Sequence, residues 1–423
     1  MKALVKMKTN KVVNNTIMLY IMSVAKLIFP LLTLPYLTRV LSKEAYGFVS
    51  YVQNCMSYMQ IIIDFGFILS AVKDIVNAKG DNDKIGVIVG TTFCAKILLA
   101  VLAAVVLAVM CVTIPLLRTN ITFVTLSFIA VAVNLFLADF LFRGIEKMHF
   151  ITVIYVISKF VSTALTFILV KNDGSLMLIP LLDIAANLIS AAISFGIIIK
   201  LKIKVRFGGF KACFGMIKDS FTYFLSSVAT TAFSALNTLL IGIYVSDLTQ
   251  VAYWSVCMRI ISAIQGLYSP LCNSIYPHMI LKKDLKVIHK VMAIFMPVVI
   301  IGCAACFFFA KFALLVVGGE KYVAAYSLFR LLIPILFFSF PAQIYGWPAL
   351  GAIGKVKQTT ASTVIAAVLQ VVGLFALILA GQFNLINLAV LRGVTECSLM
   401  AVRMFIVYKN KASFNGSVCE ERK

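Results

Sequence analysis

Long apolar runs alternate with short polar or cationic clusters along the whole chain. A helix needs about 20 apolar residues to cross the hydrocarbon core of a bilayer. Runs of that kind lie near 12–36, 47–70, 85–114, 121–142, 149–170, 176–199, 220–245, 251–280, 288–317, 325–347, 358–380 and 385–408. The run at 220–245 is the most diluted, by Ser, Thr and Asn. The first run is too long for a signal-peptide core and no small-residue cleavage site follows it, so it reads as a retained span. The period-two alternation of an outer-membrane barrel is absent, and in lipid helices then remain as the way to satisfy the backbone. The pattern therefore predicts an all-α membrane protein with about twelve transmembrane helices.

Composition agrees. Of the 423 residues, 62% are hydrophobic and 13% charged, with a mean hydropathy of +1.02. An average soluble domain is roughly 45–50% apolar and about 25% charged. A soluble domain, a disordered chain and a nucleic-acid binder are thereby excluded. Lys and Arg number 38 against 16 Asp and Glu, a net charge of +22. In a membrane protein such an excess marks the cytoplasmic loops. With the N-terminus inside, 25 cations fall on inside segments, six on outside segments and seven within spans. This alternation predicts an even number of spans with both termini cytoplasmic.

The longest cationic connection, near 200–219, separates six runs from six. It divides the chain into an N-terminal lobe at 1–205 and a C-terminal lobe at 206–423. The segments LTLPYLTRVLSKEAYGFVSYVQN and LNTLLIGIYVSDLTQVAYWSVCMR are weakly alike, which suggests parallel repeats. No loop is long enough for a folded extramembrane domain, which argues against a membrane glycosyltransferase or polysaccharide polymerase.

Motifs for chemistry are missing. The spacing from Gly346 to Gly351 is that of a P-loop, but Ala352 follows where Lys is required. His149, His278 and His289 lack metal-site spacing, and Cys303 and Cys306 lie in an apolar run. No metal, cofactor or catalytic residue is expected, and the chain does not read as an enzyme.

The informative residues are charges inside the apolar runs, because each costs free energy and usually faces a cavity or a partner. They are Lys26, Asp64, Lys96, Asp139, Lys159 and Asp183 in the first half. In the second half they are Arg259, Arg330, Arg392, Glu396 and Arg403. Lys26, Lys96, Lys159 and Arg259 lie far from span ends, and a cavity lined by them would suit an anionic substrate such as a phosphate ester. Pairing with the aspartates is the competing reading. Asp64 is a candidate for binding a coupling cation or proton. Arg392 and Glu396, four apart, share a helix face with Arg403, as an intrahelical ion pair or a cavity wall. Pro30 and Pro35, Pro270 and Pro277, and Pro334, Pro341 and Pro348 mark possible bends. Asn14, Asn15, Tyr20, Gln53, Asn54, Ser226, Ser227, Thr230, Thr231, Ser234 and Asn237 give three spans a polar face, as a wet cleft would need.

The stretch KLIFPLLTLPYLTRVLSKEAYGFVSYVQ, residues 26–53, resembles the opening motif of the Wzx-type polysaccharide flippases. Pro30, Leu32, Thr33, Pro35, Tyr36, Leu37, Arg39, Leu41, Tyr46 and Gly47 carry the match. The resemblance implies the multidrug/oligosaccharidyl-lipid/polysaccharide exporter superfamily, with two six-helix lobes around a central cavity and alternating access. It implies a flippase for an undecaprenyl-diphosphate-linked oligosaccharide repeat unit of O-antigen, other lipopolysaccharide or capsule. Polysaccharide polymerase and chain-length regulator are further implied partners, beside the lipid bilayer. Lipid II flippases of the superfamily line their cavity with arginines from spans 1 and 8, to which Lys26 and Arg259 are equivalent by span. Substrate-binding candidates are thus Lys26, Arg259, Lys159, Lys96 and Arg392, with Asp64 and Glu396 for ion coupling. A drug exporter of the same superfamily is the alternative, which a cationic cavity disfavours.

The loop charges yield one direct test. Green fluorescent protein fused after Lys423 is expected to fluoresce, and alkaline phosphatase fused at the same point to be inactive. The opposite pair of results would place the C-terminus outside.

Overall fold

A computed structural model describes residues 2–78, 80–245 and 247–414. The described elements are helices. In the first half they are α1 (Lys2–Val40), α2 (Lys43–Asp64), α3 (Phe67–Asn77), α4 (Asn82–Thr113), α5 (Pro115–Arg118), α6 (Ile121–Asn134), α7 (Asp139–Gly144), α8 (Met148–Leu169) and α9 (Leu178–Lys200). The second half adds α10 (Phe210–Tyr244), α11 (Leu248–Gly266), α12 (Tyr268–Lys282), α13 (Leu285–Phe308), α14 (Ala310–Gly318), α15 (Tyr326–Ile344), α16 (Val356–Leu379) and α17 (Leu385–Lys409). Among the described residues ten helical segments are long and apolar enough to span a membrane. The expected run 220–245 falls on α10, where Ala235–Tyr244 is the apolar stretch. The run 251–280 is divided between α11 and α12. The chain forms two compact units, Met1–Val228 and Ala229–Lys423, and the boundary falls within α10.

The motif at 26–53 builds a packed corner of the N-terminal unit. Thr38, Leu41, Tyr46 and Gly47 are buried there. Ser42 caps α2 by accepting from Ala45 N, and its own N–H donates to Asp173 Oδ1 at 2.8 Å. The Tyr36 hydroxyl lies 2.8 Å from the Phe167 carbonyl oxygen and 2.7 Å from that of Val170. These are among the carbonyls that the end of α8 leaves without helical partners. The Tyr36 ring meets Phe167 edge-on, with centroids 4.7 Å apart.

Several spans are broken, and each break is satisfied. Between α2 and α3 the chain turns through Phe65 (φ 42°) and Gly66 (φ 81°), both left-handed. A methyl group at Gly66 would lie 2.5 Å from Tyr223 Cβ, so this position needs glycine for its backbone and for its space. Phe65 stacks on Phe224 with centroids 4.3 Å apart, and Ser70 Oγ meets Ser220 Oγ at 2.6 Å. Between α6 and α7, tight turns bond Leu135 N to the Ala132 oxygen and Leu137 N to the Asn134 oxygen, while Ala138 N donates to Ser194 Oγ at 3.2 Å. In the C-terminal unit, α15 passes into a π-helical turn, Tyr345–Gly351, kinked at Gly346 (φ −72°, ψ −112°). Arg403 takes the carbonyl of Ala342, Nη1 donating at 2.7 Å; Nε donates to Ser362 Oγ at 3.1 Å and Nη2 to Thr363 Oγ1 at 2.9 Å.

The cationic connection after α9 is docked in its first part. Arg206 N donates to the Gly86 oxygen at 3.1 Å, and Gly208 N to Thr91 Oγ1 at 3.1 Å. Methyl groups at Gly86 and Gly90 would lie 2.0 Å from the Lys204 oxygen and 2.2 Å from the Arg206 oxygen. The G-x-x-x-G spacing on α4 thus opens a seat for the extended backbone of 204–206.

Gly66→Ala combines a left-handed backbone with that clash and is expected to destabilise by more than about 1 kcal/mol. Gly215→Ala, inside α10 with nothing within 4 Å of the added carbon, is expected to be neutral or to stabilise by up to about 1 kcal/mol. Thermal unfolding of the two variants in one detergent checks this; equal midpoints would refute the account of Gly66.

Candidate functional site

Eight helices of the N-terminal unit, α1 to α4 and α6 to α9, line a cavity of about 520 Å³. That is within the range of small-ligand sites, roughly 300–1,000 Å³. Its charged lining is Lys26 from α1, Asp64 from α2, Lys96 from α4, Asp139 from α7, Lys159 from α8 and Asp183 from α9. Two of the charges sit at helix breaks. Asp64 is the last residue of α2, directly before the left-handed turn, and Asp139 opens α7 after the 135–138 break.

Lys96, only 6% exposed, places Nζ 2.8 Å from Asp64 Oδ1. Gln60 Nε2 donates to Asp64 Oδ2 at 2.6 Å and Asn134 Nδ2 to Gln60 Oε1 at 3.4 Å, so a chain of polar groups joins α4, α2 and α6. Lys159 Nζ pairs with Asp183 Oδ1 at 3.1 Å, linking α8 and α9. Ser190 Oγ donates to Ser158 Oγ at 2.6 Å, and Asn187 Nδ2 to the Ala130 oxygen at 2.8 Å. Lys26 is exposed and forms no ion pair among the described residues; its Nζ lies 5.5 Å from the centroid of the Tyr155 ring. Asp139 Oδ1 is buried without a hydrogen-bond donor.

The structure thus brings together four residues expected at a site: Lys26, Lys96, Lys159 and Asp64. It also supplies the carboxylates that balance the lysines, three against three. Arg259, Arg392 and Glu396 belong to the C-terminal unit. Arg259 is half-buried in α11. Arg392 and Glu396, 5% and 4% exposed, pair with each other at 2.9 Å along α17. Beside them Thr395 Oγ1 donates to Gln370 Oε1 at 2.7 Å, and Gln370 Nε2 to Asn237 Oδ1 at 2.8 Å. Of the expected polar face, Gln53 lines the cavity and Asn237 joins this network. The side chains of Asn14, Ser226, Thr230, Thr231 and Ser234 lie outside the described residues.

Sequence reasoning weighed Asp139 only as a counterion and passed over Gln60, Asn134, Tyr155 and Asn187. The available signal was an amide or carboxylate in mid-span, four residues apart at Gln60 and Asp64.

A multi-helix membrane bundle with broken spans and a polar, charge-paired cavity has the build of a membrane transporter. Its fold is shared with the lipid II flippase MurJ in an inward closed conformation (TM-score 0.69, 13% identity, 95% of this chain and 90% of that one). It is shared equally with an inward-facing multidrug resistance transporter of the MATE family in the MOP superfamily (TM-score 0.63, 12% identity, 93% and 99%). Residues 12–280 match the family of polysaccharide biosynthesis proteins, and the chain belongs to that family. A relative from Escherichia coli named "Putative O-antigen transporter" is 25% identical over 424 residues, 96% of this chain and 99% of its own. One of the same name from Shigella dysenteriae is 28% identical over 274 residues, 63% of this chain and 66% of its own. The protein is therefore a multi-pass bacterial membrane protein of polysaccharide biosynthesis.

Leaving one member of a buried charge pair alone costs more than the pair contributes. Lys96→Met leaves Asp64 with Gln60 and is expected to lower stability by about 1–3 kcal/mol. The double variant Lys96→Met/Asp64→Leu is expected to regain most of that loss. A thermal-shift series on the single and double variants decides; strictly additive losses would refute the coupling.

Proposed function

We propose that the protein flips an undecaprenyl-diphosphate-linked oligosaccharide repeat unit from the cytoplasmic to the outer leaflet of the inner membrane. The observation that carries this reading is the family match together with relatives named as O-antigen transporters along nearly the whole chain. The fold shared with MurJ supports it. The protein acts as a transporter and not as an enzyme, with both termini in the cytoplasm.

The lipid tail stays in the bilayer while the head group enters from the side. The two lobes expected on either side of residue 205 rock so that access alternates between the two faces. Lys26 and Arg259 are assigned to the diphosphate. Lys26 suits this role because its ammonium is exposed on the cavity lining and bound to no carboxylate among the described residues. As a compact ammonium it attracts a phosphate as a point charge, without the two-pronged geometry of arginine. Lys96, Lys159 and Arg392 hold the helices in which the head group moves, each through an acid partner. Asp64 is the coupling group: when Lys96 draws away from it, its carboxylate is released for a proton or a cation. Glu396 plays the corresponding part in the C-terminal unit through Arg392. A polysaccharide polymerase and a chain-length regulator take up the exported unit.

Arg259→Ala and Lys26→Gln are each expected to abolish surface polysaccharide while the protein remains inserted and folded. Gel analysis of surface polysaccharide, beside a blot of the membrane fraction, measures this. Normal polysaccharide in either variant would remove that residue from the site.

A further inference from the structure

The charge balance of the cavity points to a neutral, hydroxyl-rich occupant. Three ammonium groups face three carboxylates, and Lys96 and Lys159 are each within ion-pair distance of an acid. A diphosphate entering here would have to draw Lys96 away from Asp64 and Lys159 away from Asp183. It also offers acceptors alone, since its oxygens are ionised. Asp139 lines the cavity, its Oδ1 meets no hydrogen-bond donor among the described residues, and the charges of Arg143, Lys26 and Lys96 act on it only electrostatically. An ionised carboxylate is acceptor-only, so what it lacks is a donor. A sugar hydroxyl or an acetamido N–H is such a donor. Around Asp139 the lining carries the amides of Asn134 and Asn187, the hydroxyl of Ser127 and the rings of Tyr155 and Phe140. Convergent polar groups between apolar faces fix the orientation of a small ligand, and flat rings cover the apolar C–H faces of a sugar.

We propose that this cavity is the saccharide subsite of the N-terminal unit, with Asp139 accepting from a sugar hydroxyl or amide and Tyr155 covering a ring face. The diphosphate is held apart from the Lys96 and Lys159 pairs. The inference rests on the flippase reading but assigns the lysine-rich cavity to the sugars.

The test uses the full-length protein in phosphatidylcholine nanodiscs and two probes. One is bare undecaprenyl diphosphate; the other is the lipid-linked saccharide fraction extracted from the bacterium that makes this chain. Wild type is expected to bind the saccharide fraction at least tenfold more tightly than the bare lipid. Asp139→Ala is expected to lose that preference and keep its affinity for undecaprenyl diphosphate. Asp139→Asn, which keeps an acceptor oxygen, is expected to retain most of it. Tyr155→Leu provides the same discrimination should Asp139→Ala fail to fold. An equal loss for both probes, or a loss confined to undecaprenyl diphosphate, overturns the saccharide assignment. Wild type that binds neither probe overturns the flippase reading itself, which separates the two failures.

Discussion

Backbone groups in a bilayer have no water to turn to, and this constraint governs every departure from a straight helix in the protein. An unsatisfied N–H or carbonyl in hydrocarbon costs several kcal/mol, so each break carries its own substitute partner. The turn at 135–138 uses i→i−3 bonds and the hydroxyl of Ser194, itself buried on α9. The kink after α15 releases the Ala342 carbonyl to the guanidinium of Arg403. The turn at Phe65 and Gly66 closes back on the Ile61 and Gly66 oxygens and is held by the stack of Phe65 on Phe224. Such breaks are tolerated where protein or a wet cavity surrounds them. Asp64 and Asp139 stand at the two breaks that face the cavity.

The same shortage of water organises the charges. Arg392 meets Glu396 within a single helix, whereas Lys96 and Lys159 reach acids on neighbouring helices. Arg403 has carbonyl and hydroxyl oxygens around all three of its nitrogens. A cation so placed is costly to expose and costly to strip, and it fixes helix register rather than waiting for a ligand. Lys26 differs: it is exposed, forms no ion pair among the described residues, and its Nζ lies over the Tyr155 ring.

Much of the fold was legible because hydrophobic length is a strong and local signal. Ten of the twelve expected runs reappear as helices of spanning length. The other two fall on helices as well, 220–245 on the 35-residue α10 and 251–280 on α11 and α12, which divide near Leu267. The cavity was legible in its lysines and in Asp64, since a mid-span charge is conspicuous in an apolar run. Its neutrality was not, because a sequence gives no distance between Lys159 and Asp183. Nor was the docking of 203–208, which depends on two glycines of α4 more than a hundred residues away. Asp139 was visible as a charge and silent about its missing donor, which only the packed structure reveals.

The residues that carry the family resemblance and the residues that line the cavity are different sets. Tyr36, Thr38, Leu41, Tyr46 and Gly47 close a corner between α1 and α2 and tie it to the end of α8. That corner fixes where α1 enters the bundle, and through it the position of Lys26, but it touches no part of the cavity lining. The lining is drawn from helices far apart in sequence, from one lysine each on α1 and α4 to four polar side chains, Gln53, Ser57, Gln60 and Asp64, on α2. A substitution at Asn134, Tyr155 or Asn187 can therefore reshape what the cavity accepts without disturbing the corner that builds the bundle. The parts that assemble the fold and the parts that line its cavity answer to separate physical demands.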